Sequence, residues 1–301
     1  MRPKNPEEVH VRTFEYFKPT SLQEALDLLE KYNGKAKVIA GGTDAMIQWK
    51  KRLLSPECFI SLRNIPELNY IEHNGSLGIG SATPHRKLEL SPIIQEHFPV
   101  LTDAVTNLGS VQVRCSATIG GNICNAAPSA DTAPPLLVLD TEVHIAGPKG
   151  KRTVPLAEFF GGPKRTVLES SEIVTHFLIP KLLPRTGAAY WKHTRRKAMD
   201  LPILGVACLL SFEEDMTTCA KACIGLGVAA PTPIRAPKAE EFLVGKPVNE
   251  DTLTEAGTIA ADEASPRNTI RGSQWYRTDM IRVLVKRTGL TCLDRAKGAS
   301  R

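Results

Sequence analysis

The sequence predicts an α+β protein in two parts, and three observations carry that prediction. The first fifty residues read strand, helix, strand. Residues 58–179 alternate short strands and helices between turn signals. Beyond residue 184, an apolar run at 203–210 and a matching strand precede two helical stretches. The first part is placed at 1–183, with subdomains at about 1–57 and 58–183, and the second at 184–301.

Each element has its own signal. Residues 13–17 form a strand-like run. Ser21 opens a helix with the S-x-x-E spacing of a capping box, completed by Glu24, and Leu22, Ala25, Leu26 and Leu29 recur at helical spacing. Asn33-Gly34 ends it. Residues 37–40 form a buried strand, and 45–51 start a helix. Short strands at 59–62, 70–72 and 77–80 alternate with turns, Asn74-Gly75 being a hairpin signal. A helix follows Thr83-Pro84, in which His85 reads as a polar surface residue. Residues 100–108 are helical up to Gly109, and 133–140 form a helix with proline in its first turn. Strands follow at 142–145, 153–155 and 172–179, with Gly161-Gly162-Pro163 a loop tip. In the second part, strands at 188–193, 203–210 and 219–226 form a small antiparallel sheet on helices at 252–264 and 274–287. Cys219 and Cys223, four apart on one strand, fall on the same face.

Composition bounds the function classes. The chain has 301 residues, 42% of them hydrophobic, enough for a large core. The start, Met1-Arg2-Pro3-Lys4-Asn5-Pro6, leads into no apolar run, which argues against a secretory signal. The run 203–210 is far short of the ~20 residues that span a bilayer. Seven scattered cysteines read as reduced thiols of a cytoplasmic protein. The net charge of +6 suits anionic ligands or an acidic partner surface, the plainer reading being a solvated surface. Lys50-Lys51-Arg52 and Arg195-Arg196-Lys197 lack interleaved aromatics, unlike a nucleic-acid stacking platform. No Ser-His-Asp set, carboxylate pair or four-cysteine cluster stands out, so no catalytic or metal-ligating residue is assigned.

Two glycine-rich segments carry the chemistry. Ala40-Gly41-Gly42-Thr43-Asp44 follows Val38-Ile39, and Thr118-Ile119-Gly120-Gly121-Asn122 runs on to Cys124-Asn125 and Asp131. A Gly-Gly pair lets backbone turn tightly and approach a ligand without a Cβ in the way. Successive N–H groups there can form a nest for anionic oxygens. Two nests on distant parts of one chain suit a dinucleotide with a pyrophosphate at its middle. The plainer reading of the first is a tight turn between strand and helix.

These segments, together with Pro128-x-x-Asp131, Arg195-Arg196-Lys197-Ala198-Met199-Asp200 and Arg271-Gly272-Ser273, resemble the FAD-binding medium subunit of the molybdenum hydroxylases, over essentially the whole chain. The resemblance implies a vanillyl-alcohol-oxidase-like (PCMH-type) FAD-binding fold of two subdomains, plus a carboxy-terminal antiparallel sheet-and-helix domain. It implies FAD held by Ile39, Ala40, Gly41, Gly42, Thr43 and Asp44 on one side of the pyrophosphate. Thr118, Ile119, Gly120, Gly121 and Asn122 take the other side. Cys124 and Asn125 line the adenosine or ribityl region, and Asp131 meets ribose hydroxyls, its alternative being an N-cap for the helix at 133. Lys192 approaches the flavin carbonyl edge, its alternative being an exposed charge. Asp200 and Leu201 lie beside the isoalloxazine.

The resemblance also implies partners: a molybdenum-cofactor large subunit, where substrate is hydroxylated with water-derived oxygen, and a [2Fe–2S] small subunit. The assembly is a dimer of heterotrimers in which electrons pass through the clusters to FAD and on to NAD, a quinone, oxygen or another carrier. The extra iron–sulfur insertion of the benzoyl-CoA reductase type is missing. Two rival readings are a self-contained FAD-dependent oxidoreductase and a scaffold subunit without FAD.

Overall fold

A computed structural model describes residues 13–298. The amino-terminal stretch read above for a leader lies outside them. The first layer is a parallel sheet in the order β1 (Glu15–Phe17), β3 (Cys58–Ser61), β2 (Ala36–Ile39). Helix α1 (Leu22–Tyr32) crosses between β1 and β2 and buries Ala25 and Leu29. Ser21 caps it by accepting the Glu24 N–H, but Glu24 reaches back to the N–H of Thr20, not Ser21. Asn33 ends it at φ 41°. All four residues of β3 are buried, as the central strand of a covered sheet requires. The first sheet therefore extends past residue 57. Helix α2 (Ala45–Lys50) follows β2 across the loop 40–44.

The second layer is a five-stranded antiparallel sheet. Its order is β4 (Ile71–Asn74), β5 (Ser76–Gly80), β10 (Ile173–Ile179), β6 (Glu142–Gly147), β7 (Gly150–Pro155). The chain leaves β5 for a run of short helices: α3 (His85–Glu89), α4 (Pro92–His97), α5 (Pro99–Thr106), α6 (Val111–Ser116), α7 (Ile119–Cys124) and α8 (Ala133–Val138). After β7 come α9 (Leu156–Phe159) and a small hairpin, β8 (Phe160–Gly162) with β9 (Arg165–Thr166), the loop tip expected there. His85 is fully buried, contrary to its reading as a surface residue. Its N–H donates to Ala117 O at 3.0 Å, which draws α3 beneath the segment before α7. Among the described residues neither ring nitrogen finds a partner, and burial pushes the imidazole down to about 4, which favours its neutral form.

The third layer is the antiparallel sheet β11 (Thr186–His193), β12 (Leu204–Phe212), β13 (Cys219–Gly227), β14 (Ile234–Arg235), with α10 (Pro237–Leu243), α11 (Glu250–Glu263) and α12 (Gln274–Ala296). It is covered on both faces. Ala188, Tyr190, Ala207, Leu209 and Cys223 join the core of the preceding layer, while Leu204, Val206, Cys208 and Leu210 pack towards α11 and α12. This two-sided burial explains the unbroken apolar run of β12. A register shift at Ser211/Phe212, opposite 219–221, turns Cys219 and Cys223 to different cores, so the expected shared face is lost. Helix α12 runs on to Ala296 through Thr288-Gly289. Gly289 is not a terminator: a Cβ there would lie 2.5 Å from Leu253 Cδ2, so it lets α11 and α12 approach closely. Among the described residues no helix is long and apolar enough to cross a membrane.

Candidate functional site

The first glycine segment joins β2 to α2. Gly42 takes φ +73°, a conformation that favours glycine. Gly41 lies against the chain before α7: a Cβ there would be 2.0 Å from Ser116 O and 2.8 Å from Ala117 Cα. The two glycine segments, about eighty residues apart in sequence, thus meet at their backbones. Among the described residues the N–H groups of Gly41, Gly42, Thr43 and Asp44 have no backbone acceptor, leaving a row of donors on a half-exposed loop. That is the donor set an anionic oxygen needs.

The second segment is built differently from the open nest expected. Residues 119–124 are a helix capped by Thr118, whose Oγ1 accepts the Gly121 N–H at 3.1 Å. Ile119 N–H donates to Thr83 O and Gly120 N–H to Ser81 O, so these donors are spent inside the protein. Gly120 is required by that contact, since a Cβ would sit 2.5 Å from Ser81 O. Gly121 alone is exposed, with only Thr118 Oγ1 near its Cβ position. Asn122 Oδ1 accepts from Thr132 Oγ1 at 2.7 Å. Asn125 Oδ1 accepts from Gln48 Nε2 on α2 and from Lys164 Nζ at the β8–β9 tip. Burial pushes the Cys124 thiol up to about 12, so it is an inert packing group.

Asp131 and Lys192 face each other across the boundary between the second and third layers. Lys192 Nζ donates to Asp131 Oδ2 at 2.9 Å and to Asn107 O at 2.8 Å, and Tyr190 Oη donates to Asp131 Oδ1 at 3.2 Å. The Lys192 side chain is only 5% exposed, which removes its reading as a surface charge. Asp131 does not cap α8: the N-cap is Thr132, with no side-chain capping bond. Burial raises the Asp131 carboxyl to about 6 even though the Lys192 ammonium and the Tyr190 hydroxyl favour its ionised form. Burial also raises the Tyr190 phenol well above its usual value.

Contacts thus run without a break from the first loop through Ser116–Ala117, α7 and Thr132–Asp131 to Lys192. Among the described residues no hydrogen bond joins Asp200 or Leu201 to this line. They lie on the loop after β11, where Asp200 pairs with Arg196 at 3.3 Å, its Oδ2 is buried without a partner, and Leu201 is exposed. Gln48, Asn107, Lys164 and Tyr190 were missed in the sequence. Only Tyr190, two residues from Lys192 on one strand face, had a signal that pointed to it.

Comparison with known proteins bears on this arrangement. The family described as "FAD binding domain in molybdopterin dehydrogenase" matches residues 12–182, and "CO dehydrogenase flavoprotein C-terminal domain" matches 189–291. The chain is 36% identical to the xanthine dehydrogenase FAD-binding subunit of Escherichia coli O157:H7, over 90% of this chain and 93% of that one. It is 35% identical to the carbon monoxide dehydrogenase medium chain of Hydrogenophaga pseudoflava, over 91% and 95%. A solved structure of carbon monoxide dehydrogenase from the same organism superimposes with a TM-score of 0.89 at 33% identity, covering 96% of this chain and 99% of that chain. Quinoline 2-oxidoreductase from Pseudomonas putida 86 gives 0.87 at 30%, covering 96% and 98%.

Proposed function

Because the chain belongs to the FAD-binding medium-subunit family of the molybdenum hydroxylases, and is the flavoprotein component of such an oxidoreductase complex, we propose that it passes electrons from [2Fe–2S] clusters of a small partner subunit through FAD to an external acceptor. NAD, a quinone, oxygen or another carrier fits that last role. The observation that carries the reading is the unbroken line of contacts from the glycine loops to Lys192. In this reading residues 1–183 form the FAD-binding unit, its first subdomain extended to include β3, and 184–301 close over it. A large subunit holds the molybdenum cofactor, and the assembly is a dimer of heterotrimers. Seven unpaired cysteines support a reducing, cytoplasmic setting.

The residues present fit FAD. The free N–H groups of Gly41, Gly42, Thr43 and Asp44 suit a pyrophosphate, with Ile39 and Ala40 setting the loop from below. Across from them, Thr118, Ile119, Gly120 and Gly121 contribute a wall whose one exposed glycine leaves room for the ligand. Asn122, Cys124 and Asn125 extend it. Asp131 fixes the Lys192 ammonium, and Asp200 and Leu201 flank the ring end. FAD, when bound, supplies the electron-carrying chemistry. The protein binds and orients it, and holds a cation at Lys192 that favours negative charge developing nearby.

The test is reductive titration of the purified holoprotein. Lys192→Met is expected to keep FAD and lower its midpoint potential. An unchanged potential with full occupancy removes Lys192 from the ring end. Absence of FAD from wild-type protein, even after incubation with it, defeats the reading.

A further inference from the structure

Arg114, on α6, is buried and spends all three guanidinium nitrogens inside the protein. Nε donates to Glu89 Oε2 at 2.7 Å and Nη2 to Glu89 Oε1 at 2.9 Å, a two-pronged clamp on the end of α3. Nη1 donates to Leu108 O at 3.0 Å. Both side chains of the pair are largely withdrawn from water, at 9% and 12% exposure. Burial works to raise the Glu89 carboxyl, yet the Arg114 and Arg86 guanidiniums hold it below its ordinary value, so the pair stays ionised. Taking two charges out of water is costly, and a buried pair is poor evidence for stability alone. What it does supply is a fixed geometry.

The turn between α5 and α6 is what it fixes. Asn107 O, one residue before the carbonyl that Arg114 holds, accepts from Lys192 Nζ at 2.8 Å. Two consecutive carbonyls of one turn thus meet two cations, Arg114 from within the FAD-binding unit and Lys192 from β11. Gly109 follows at φ +54°, and Ser110 caps α6 by accepting the Val113 N–H. The Lys192 ammonium has a second anchor in Asp131 Oδ2 at 2.9 Å. Its anchor at Asn107 is only as firm as the turn, and the turn is tied down by Arg114.

We propose that Arg114, clamped by Glu89, is a positioning residue for electron transfer at FAD: it fixes the turn at 107–109 and, through Asn107 O, sets where Lys192 Nζ stands. The proposal rests on the electron-transfer reading above, which puts Lys192 at the ring end of the cofactor. A cation already in place stabilises developing negative charge without reorganising first. One held by Asp131 alone samples more positions. Lysine at 114 keeps the charge but offers one nitrogen in place of a planar fork of three, so it cannot reproduce both the clamp and the bond to Leu108 O.

Reductive titration of the FAD-loaded full chain tests it, as a double-mutant cycle of Arg114→Lys and Lys192→Met. In the wild-type background Arg114→Lys is expected to lower the midpoint potential, by less than Lys192→Met does. In the Lys192→Met background it should produce no further shift, because the cation it positions is gone. Glu89→Asp keeps both charges and shortens the clamp by one carbon. It should repeat the pattern with a smaller shift, and it carries the test if Arg114→Lys does not fold. Equal shifts in the two backgrounds overturn the proposal, since Arg114 then acts on the flavin by its own route. So does an unchanged potential in both clamp variants beside a shifted Lys192→Met, or loss of FAD from both. Failure of the Lys192 reading shows separately, as Lys192→Met that retains FAD at the wild-type potential, and it takes this proposal with it.

Discussion

Glycine positions separate folding from ligand binding one residue at a time. Gly41 and Gly120 press on backbone, with Cβ positions 2.0 Å from Ser116 O and 2.5 Å from Ser81 O. Gly41→Val and Gly120→Val are therefore expected to lose both FAD and thermal stability. Gly121→Val faces solvent and meets only Thr118 Oγ1, 3.0 Å from its Cβ position, so it should lose FAD at a smaller cost in apoprotein stability than Gly41→Val or Gly120→Val; a yellow, fully occupied variant refutes that. Titration adds a second residue-scale expectation. His85 is depressed to about 4, so its neutral burial stabilises the fold above an unfolded pKa of about 6.5 and is lost as pH falls towards 4. Asp131 is raised to about 6, so its contribution has the opposite sign, full below about 4 and lost as pH rises through 6. The two oppose each other in one window, so single variants must report each. His85→Leu, which also removes two unpartnered nitrogens, should flatten the acid loss, by up to roughly 3 kcal/mol. Asp131→Asn should steepen it. Unfolding curves at pH 4 to 7 that match wild type count against both assignments.

Elements were legible where a local pattern decided them and not where distant packing did. Ser21, Asn33 and the 3.6-residue repeat of α1 announce that helix, and the apolar run of β12 announces a strand covered on both sides. The last helix was placed at 274–287 but runs on to Ala296, and nothing in the stretch around Gly289 reveals Leu253 on another helix. The turn of Cys219 away from Cys223 depends on a register shift against Phe212. Gly187 belongs to the same class: a Cβ there would be 1.9 Å from Cys292 O on α12. Gly187→Ala is expected to cost at least about 2 kcal/mol, seen as a lower denaturation midpoint at unchanged slope. A midpoint equal to wild type would mean that β11 and α12 are not in contact as described.

At the scale of the whole molecule, long-range pairs decide what the sequence could only suggest. Asp131 and Lys192 were both singled out, but their contact spans sixty-one positions, and Asn107, which completes the Lys192 shell, carries no motif. Further clasps cross the same boundary. Asp103 takes Arg295 at 2.7 Å and the Tyr190 N–H, and Asp140 takes both Lys221 and Arg235. A fragment ending at 183 leaves these carboxylates without partners and uncovers the core face that Tyr190 and Leu209 fill. It is expected to associate or retain FAD poorly, whereas a monodisperse, fully loaded fragment shows that the later layer is dispensable. The sheet around β12 serves two cores at once, which has a consequence for exchange between relatives. A chimera that imports the carboxy-terminal half of another medium chain inherits one hydrophobic face fitted to a neighbour it no longer has. Grafts at this joint should therefore succeed only when the helices that meet that face are transplanted with it, making the pair, and not either half, the heritable unit.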